Sequence, residues 1–134
     1  MKFEFATATR VLFGTGRIVE IGGIARTFGR RALLVTGGSP ARAQCVVRSL
    51  QAEGSGVTTF AVSGEPRVAD VRAGVERARA GQCDLVIGFG GGAAIDCGKA
   101  IAAMLTNPGD VLDYLEVVGQ GRPLTEQAAP FIAI

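Results

Sequence analysis

Three consecutive glycines separate a strand-length apolar run from a stretch of small, helix-compatible residues. Asp84-Leu85-Val86-Ile87 passes through Gly88-Phe89-Gly90-Gly91-Gly92 into a segment running from Ala93 to about Leu105. The first part reads as a strand and the last as a helix, so the glycines form the strand-to-helix turn of an α/β unit. With no Cβ in the way, such a turn brings backbone close to a ligand, and the first N–H groups of the helix have no partner of their own. A pyrophosphate suits that arrangement, because its negative charge is favoured by the positive end of the helix dipole. The same glycines also suit a tight turn that binds nothing.

The rest of the chain repeats this strand and helix rhythm. Residues 3–13 are rich in Phe, Thr and Val and predict an N-terminal strand or hairpin; Phe13-Gly14-Thr15-Gly16 then turns into a helix over about 17–28 that ends at Gly29. Ala32-Leu33-Leu34-Val35 is too short for a helix and reads as a strand buried on both faces, closed by Gly37-Gly38. Ser39 is placed to cap the next helix and Pro40 to occupy its first turn, with Ala43, Val46, Val47 and Leu50 along one face. A strand over Val57 to Val62 and a helix after Pro66 follow, the latter with Val68, Val71, Val75 and Ala78 inward. Asn107-Pro108-Gly109 breaks the glycine-led helix, a short helical piece covers Val111 to Leu115, and Phe131 to Ile134 form a final strand. The pattern predicts one domain over residues 1–134: a Rossmann-like parallel sheet with helices on both faces. Its ligand edge lies at the carboxyl ends of the strands, where Gly37-Gly38-Ser39 and Gly90-Gly91-Gly92 both fall.

Composition narrows the function. Net charge is +2, and 14 basic residues are scattered among 12 acids, so no basic stripe exists to follow a nucleic acid backbone. Lys2 and Glu4 interrupt what would be the apolar part of a signal peptide and no apolar run reaches membrane-span length, which predicts a cytoplasmic protein without a membrane partner. Cys45, Cys83 and Cys97 are far apart and lack metal-ligand spacing; they read as small buried hydrophobes in a reducing compartment. There is no His, which leaves neither an imidazole for a metal nor a Ser-His or Cys-His nucleophile.

The longer pattern Gly90-Gly91-Gly92-Ala93-x-x-Asp96-x-x-Lys99 resembles the G-G-G-S-x-x-D-x-x-K signature of iron-containing alcohol dehydrogenases. Asn107-Pro108-Gly109 with Asp113-Tyr114 is similar to the stretch that follows the signature there, and Arg10-Val11-Leu12-Phe13-Gly14-Thr15-Gly16 to the family's N-terminal strand and turn. The resemblance implies that Gly90, Gly91 and Gly92 hold the pyrophosphate of NADP or NAD, with Ala93 in place of the usual Ser and Asp96 beside the cofactor. An intrahelical Asp96–Lys99 ion pair is the competing account of those two residues. Val35-Thr36-Gly37-Gly38-Ser39 falls where NAD-preferring members often carry an Asp; with Gly37 there, and with Gly38, Ser39 and Arg42 nearby, NADP(H) is the expected preference.

The same resemblance implies a second, helical domain, absent from this chain, that binds iron or sometimes zinc through an Asp and three His. No catalytic residue and no metal ligand are therefore expected within residues 1–134. It further implies an alcohol or aldehyde substrate and a homodimer formed through the N-terminal strand, where Phe3, Phe5, Val11 and Phe13 make a template for a second copy. A glycerol or glycerol-phosphate dehydrogenase, a cyclase like dehydroquinate synthase, and a non-catalytic nucleotide-binding module are the alternatives, and the matches after Lys99 favour the alcohol dehydrogenase. Tyr114 reads as a packing residue, because Val118 stands where a Lys would be needed for a Tyr and Lys pair. Glu65 reads as a turn residue.

Overall fold

The computed structural model describes residues 9–134. Four parallel strands, β1 (Arg31–Thr36), β2 (Gly56–Ala61), β3 (Leu85–Phe89) and β4 (Phe131–Ala133), form one sheet in the order β2-β1-β3-β4. β1 lies inside the sheet and is buried from Ala32 to Thr36, which is why its sequence is an unbroken apolar run rather than an alternation.

Alternate side chains of the inner strands still serve different layers. Leu33, Val35 and Val86 face α3 (Val68–Ala80) and α4 (Gly92–Thr106), packing with Val71, Val75, Cys97 and Ile101. Ala32, Leu34, Leu85 and Ile87 face α1 (Ile21–Arg26) and α2 (Gln44–Ala52), packing with Ile21, Ala25, Val46 and Leu50. Both faces are thus covered by helices, and the α/β, Rossmann-like expectation holds. No helix among the described residues is long and apolar enough to cross a membrane.

Local contacts fix how these layers meet. Gly22 lets α1 lie against α2: its N–H donates to Ser49 Oγ at 3.0 Å, and a Cβ there would collide with the Ser49 carbonyl oxygen. The Asp84 carboxylate, at the entrance to β3, accepts from the N–H groups of Arg30 (2.9 Å) and Arg31 (2.8 Å), tying the starts of β1 and β3 together. A bidentate Arg72–Asp110 pair (2.7 and 2.8 Å) joins α3 to the cap of the short α5 (Val111–Tyr114), and the guanidinium hydrogen bond holds the Asp110 carboxyl down at about 2.

Asn107 ends α4 and does more than break it. Its side-chain amide donates to the Ala103 (2.9 Å) and Glu126 (3.0 Å) carbonyls, while its oxygen accepts from the N–H groups of Thr125 (3.1 Å) and Glu126 (3.0 Å). This buried side chain therefore clamps the long connection that delivers the chain to β4.

Several expectations need correction. The segment 17–28 is not one helix: residues Arg17–Glu20 form a 3-10 turn before α1, which ends at Arg26. Ser39 does not cap a helix with its side chain. A 3-10 turn, Pro40–Ala43, precedes α2, and the Ser39 backbone (φ −126°, ψ 72°) lies outside the extended region that aims a capping hydroxyl at the first amides. Residues 9–13 form no strand; Val11 and Phe13 are exposed, Phe13 by 98 %, and the rest of the expected N-terminal strand, with Phe3 and Phe5, lies outside the described residues. Cys97 is buried as expected, and burial pushes its thiol up to about 11, consistent with an inert hydrophobe. Cys83 is half-buried, but Cys45 is exposed, because the chain enters α2 with Cys45 on its solvent side and Val46 turned into the core.

Candidate functional site

β1 feeds a helix on one face of the sheet and β3 feeds a helix on the other, so the two connections diverge and leave a crevice between the carboxyl ends of these neighbouring strands. An open cleft of about 460 Å³ lies there, lined by Gly37, Gly38, Ser39, Arg42, Phe89, Gly90, Gly91 and Ile134. Its volume falls within the roughly 300–1,000 Å³ of small-molecule and cofactor sites.

The turn after β3 is shaped by its glycines individually. Gly90 has φ +136°, a backbone conformation that side-chain-bearing residues avoid. Its N–H donates to the Ile134 carbonyl at 2.9 Å while the Ile134 N–H donates to the Gly88 carbonyl at 2.8 Å, so the end of β4 holds the turn in place. A Cβ on Gly90 would come within 3.6 Å of the Gly37 nitrogen, which shows how closely the two glycine turns approach.

Gly91 is the residue before α4, in an extended conformation (φ −78°, ψ −176°). Cβ atoms on Gly37, Gly38 or Gly91 would meet no atom within 4 Å; they would occupy space that is open along the cleft. The N–H groups of Gly91, Gly92 and Ala93 donate to no acceptor among the described residues, as the first turn of a helix requires. Two Cβ-free turns with unpaired amides at the start of a 15-residue helix fit the pyrophosphate of a dinucleotide.

The expected site residues separate into three positions. Gly37, Gly38, Ser39, Gly90 and Gly91 line the cleft together. Gly92 and Ala93 begin α4 and supply amides rather than cleft wall. Asp96 lies one turn further along, exposed, and pairs with Lys99 at 3.5 Å; a Cβ on Gly92 would be 3.9 Å from its carboxylate, so it stands beside the helix start without lining the cleft. Phe89 and Ile134 line the cleft without having been singled out from sequence. Their signal was positional, since each sits at the carboxyl end of a strand on the ligand edge.

Other candidates are structural. Tyr114 packs against the α3 and α4 layer and donates its hydroxyl to the Pro108 carbonyl, while Val118 is exposed. Glu65 sits exposed in the loop after β2. Among the described residues no three His, Cys, Asp or Glu side chains come together as metal ligands, and with no His in the sequence the residues present do not fit an iron or zinc centre.

A sequence profile described as iron-containing alcohol dehydrogenase matches residues 8–134. The chain belongs to this family. Among its curated relatives is the NADH-dependent butanol dehydrogenase A of Clostridium acetobutylicum, 34 % identical over 121 residues, an alignment that covers 87 % of this chain and 31 % of the relative. The solved structure of NADH-dependent butanol dehydrogenase A from Thermotoga maritima superposes with a TM-score of 0.83 at 31 % identity, covering 98 % of this chain and 34 % of that one. Sulfoacetaldehyde reductase from Bifidobacterium kashiwanohense, solved in complex with NAD+, gives a TM-score of 0.84 at 30 % identity, covering 99 % and 35 % respectively. This member of the iron-containing alcohol dehydrogenase family thus spans about a third of the length of the relatives it matches, and the family's name carries a metal for which the described residues offer no ligand cluster.

Proposed function

We propose that this chain is the N-terminal, dinucleotide-binding domain of an iron-type alcohol dehydrogenase that interconverts a small alcohol and its aldehyde, with NADP(H) or NAD(H) seated in the cleft between β1 and β3. The observation that carries this reading is the row of unpaired amides at Gly91, Gly92 and Ala93, close to a second turn, Gly37-Gly38, that also has no Cβ. Those amides bind and orient the pyrophosphate, and Gly37 and Gly38 leave room for the adenosine half. When bound, the cofactor supplies the hydride acceptor or donor. The alcohol or aldehyde substrate class is supported by the names of the butanol dehydrogenase and sulfoacetaldehyde reductase relatives.

The metal site belongs, in this reading, to a further helical domain that contributes the Asp and three His of the family, since the sequence has no His and no group among the described residues replaces them. The exposed Val11, Leu12 and Phe13 support a homodimer in which a second copy covers this apolar segment. Three free cysteines support a reducing, cytoplasmic location.

One preparation tests these points. The purified 134-residue chain is expected to bind NADPH or NADH in a calorimetric titration and to sediment as a dimer. It is also expected to show no turnover with added ferrous or zinc ion and a panel of small alcohols and aldehydes. Absence of cofactor binding would contradict the site, a monomeric mass at high concentration the dimer, and turnover free of full-length enzyme the placement of the chemistry.

A further inference from the structure

We propose that Phe131 is a positioning residue for the cofactor. Its ring, wedged where α4 meets β3, holds the first turns of that helix so that the amides of Gly91, Gly92 and Ala93 are presented to the cleft. The inference rests on the reading that the cleft holds a dinucleotide, and it adds a residue outside the cleft lining.

The seat of α4 is built on two buried glycines. A Cβ on Gly88, in β3, would come within 3.2 Å of both the Ala94 carbonyl oxygen and the Ile95 Cα, so the first turn of the helix rests directly on the strand. A Cβ on Gly98, further along α4, would lie 3.7 Å from the Gly88 Cα, so the two backbones stay close there as well. A helix whose contact residues lack side chains approaches closely, but it has no ridge at that contact to stop it sliding or tilting.

The half-buried Phe131 supplies what the glycines leave out. Its Cζ lies 3.0 Å from where a Gly88 Cβ would stand, and its Cε2 lies 2.8 Å from where a Gly98 Cβ would stand. Phe131 pairs with Val86 in the β3 and β4 ladder, and its ring lies in the same layer as α4. β4 therefore acts on both sides of the phosphate turn: Ile134 holds the Gly90 backbone, and Phe131 holds the helix that follows. Amides fixed to the start of a helix move with it, and a site loosened by about 1 Å loses binding.

The test compares Phe131→Ala and Phe131→Leu with Val75→Ala, a truncation in the same layer but on α3. Each is followed by thermal melts, by calorimetric titration of the 134-residue chain with NADPH and with NADH, and by amide chemical shifts of the cofactor-free protein. Phe131→Ala and Val75→Ala should both melt below the parent. Phe131→Ala alone should also weaken cofactor binding, by about tenfold, and shift the free amides of Gly91, Gly92 and Ala93. Phe131→Leu, which keeps much of the wedge, should retain most of the affinity. Gly98→Ala should press α4 off the ring and weaken binding, and its combination with Phe131→Leu should bind better than Gly98→Ala by itself. Parent-like affinity and unmoved amides in folded Phe131→Ala would overturn the proposal and leave the ring as packing alone. If Phe131→Ala does not fold, the absence of any coupling between Gly98→Ala and Phe131→Leu overturns it instead. Binding of neither cofactor by the parent would overturn the cleft reading and this inference with it.

Discussion

Gly91→Val is expected to weaken dinucleotide binding by about a hundredfold or more, the loss anticipated when one or two charge-assisted amide contacts are removed. The branched side chain would project into the cleft where the pyrophosphate must lie against the amides of Gly91, Gly92 and Ala93. The fold should tolerate it. Gly91 has an extended backbone available to any residue, a Cβ there touches nothing within 4 Å, and no side-chain cap is lost. Valine is a poor residue at this helix-preceding position, so stability should fall by no more than about 1 kcal/mol. Gly90→Val makes the contrast: with φ +136° the substitution strains the turn itself, and binding and stability should fall together. Calorimetry with parallel thermal melts checks both variants. An undiminished affinity in folded Gly91→Val would place the phosphates elsewhere.

The largest effect on stability is expected at Asn107, whose side chain makes four hydrogen bonds to backbone groups of α4 and residues 125–126. Asn107→Leu keeps a similar volume but removes all four, and should cost about 2–4 kcal/mol, since each bond contributes about 1 kcal/mol and some of the released groups stay buried. The damage should reach the cleft, because the clamped connection leads to β4 and Ile134 holds Gly90 in place. Denaturant unfolding is expected to show the lower midpoint, and proteolysis should cut the 115–128 connection first. Parent-like stability in Asn107→Leu would show the clamp to be dispensable.

These two residues also show what the sequence could convey. Gly91 was legible because strand, turn and helix are contiguous, so a local pattern identifies both the element and its amides. Burial of β1 and the inward faces of α2 and α3 followed from apolar spacing for the same reason. Asn107 was legible only as a helix stop; its partners lie 18 and 19 residues away, across a connection with no periodicity. Asp84 and the Arg72–Asp110 pair were missed on the same ground, their partners being 53, 54 and 38 residues distant. Ser39 misled because its residue type suits a cap, whereas capping depends on backbone angles that the intervening 3-10 turn denies it. The cleft wall from Ile134 required the order of the strands, which alternation alone does not specify.

The most direct test of the central claim is an amide chemical-shift map of the 15N-labelled 134-residue chain titrated with NADPH. Saturable shifts should appear at the amides of Gly37, Gly38, Ser39, Gly90, Gly91, Gly92 and Ala93, and those around Arg72, Val75 and Asp110 on the far side of α3 should stay fixed. Shifts centred on that α3 and α5 region, or none at the two glycine turns, would contradict the account.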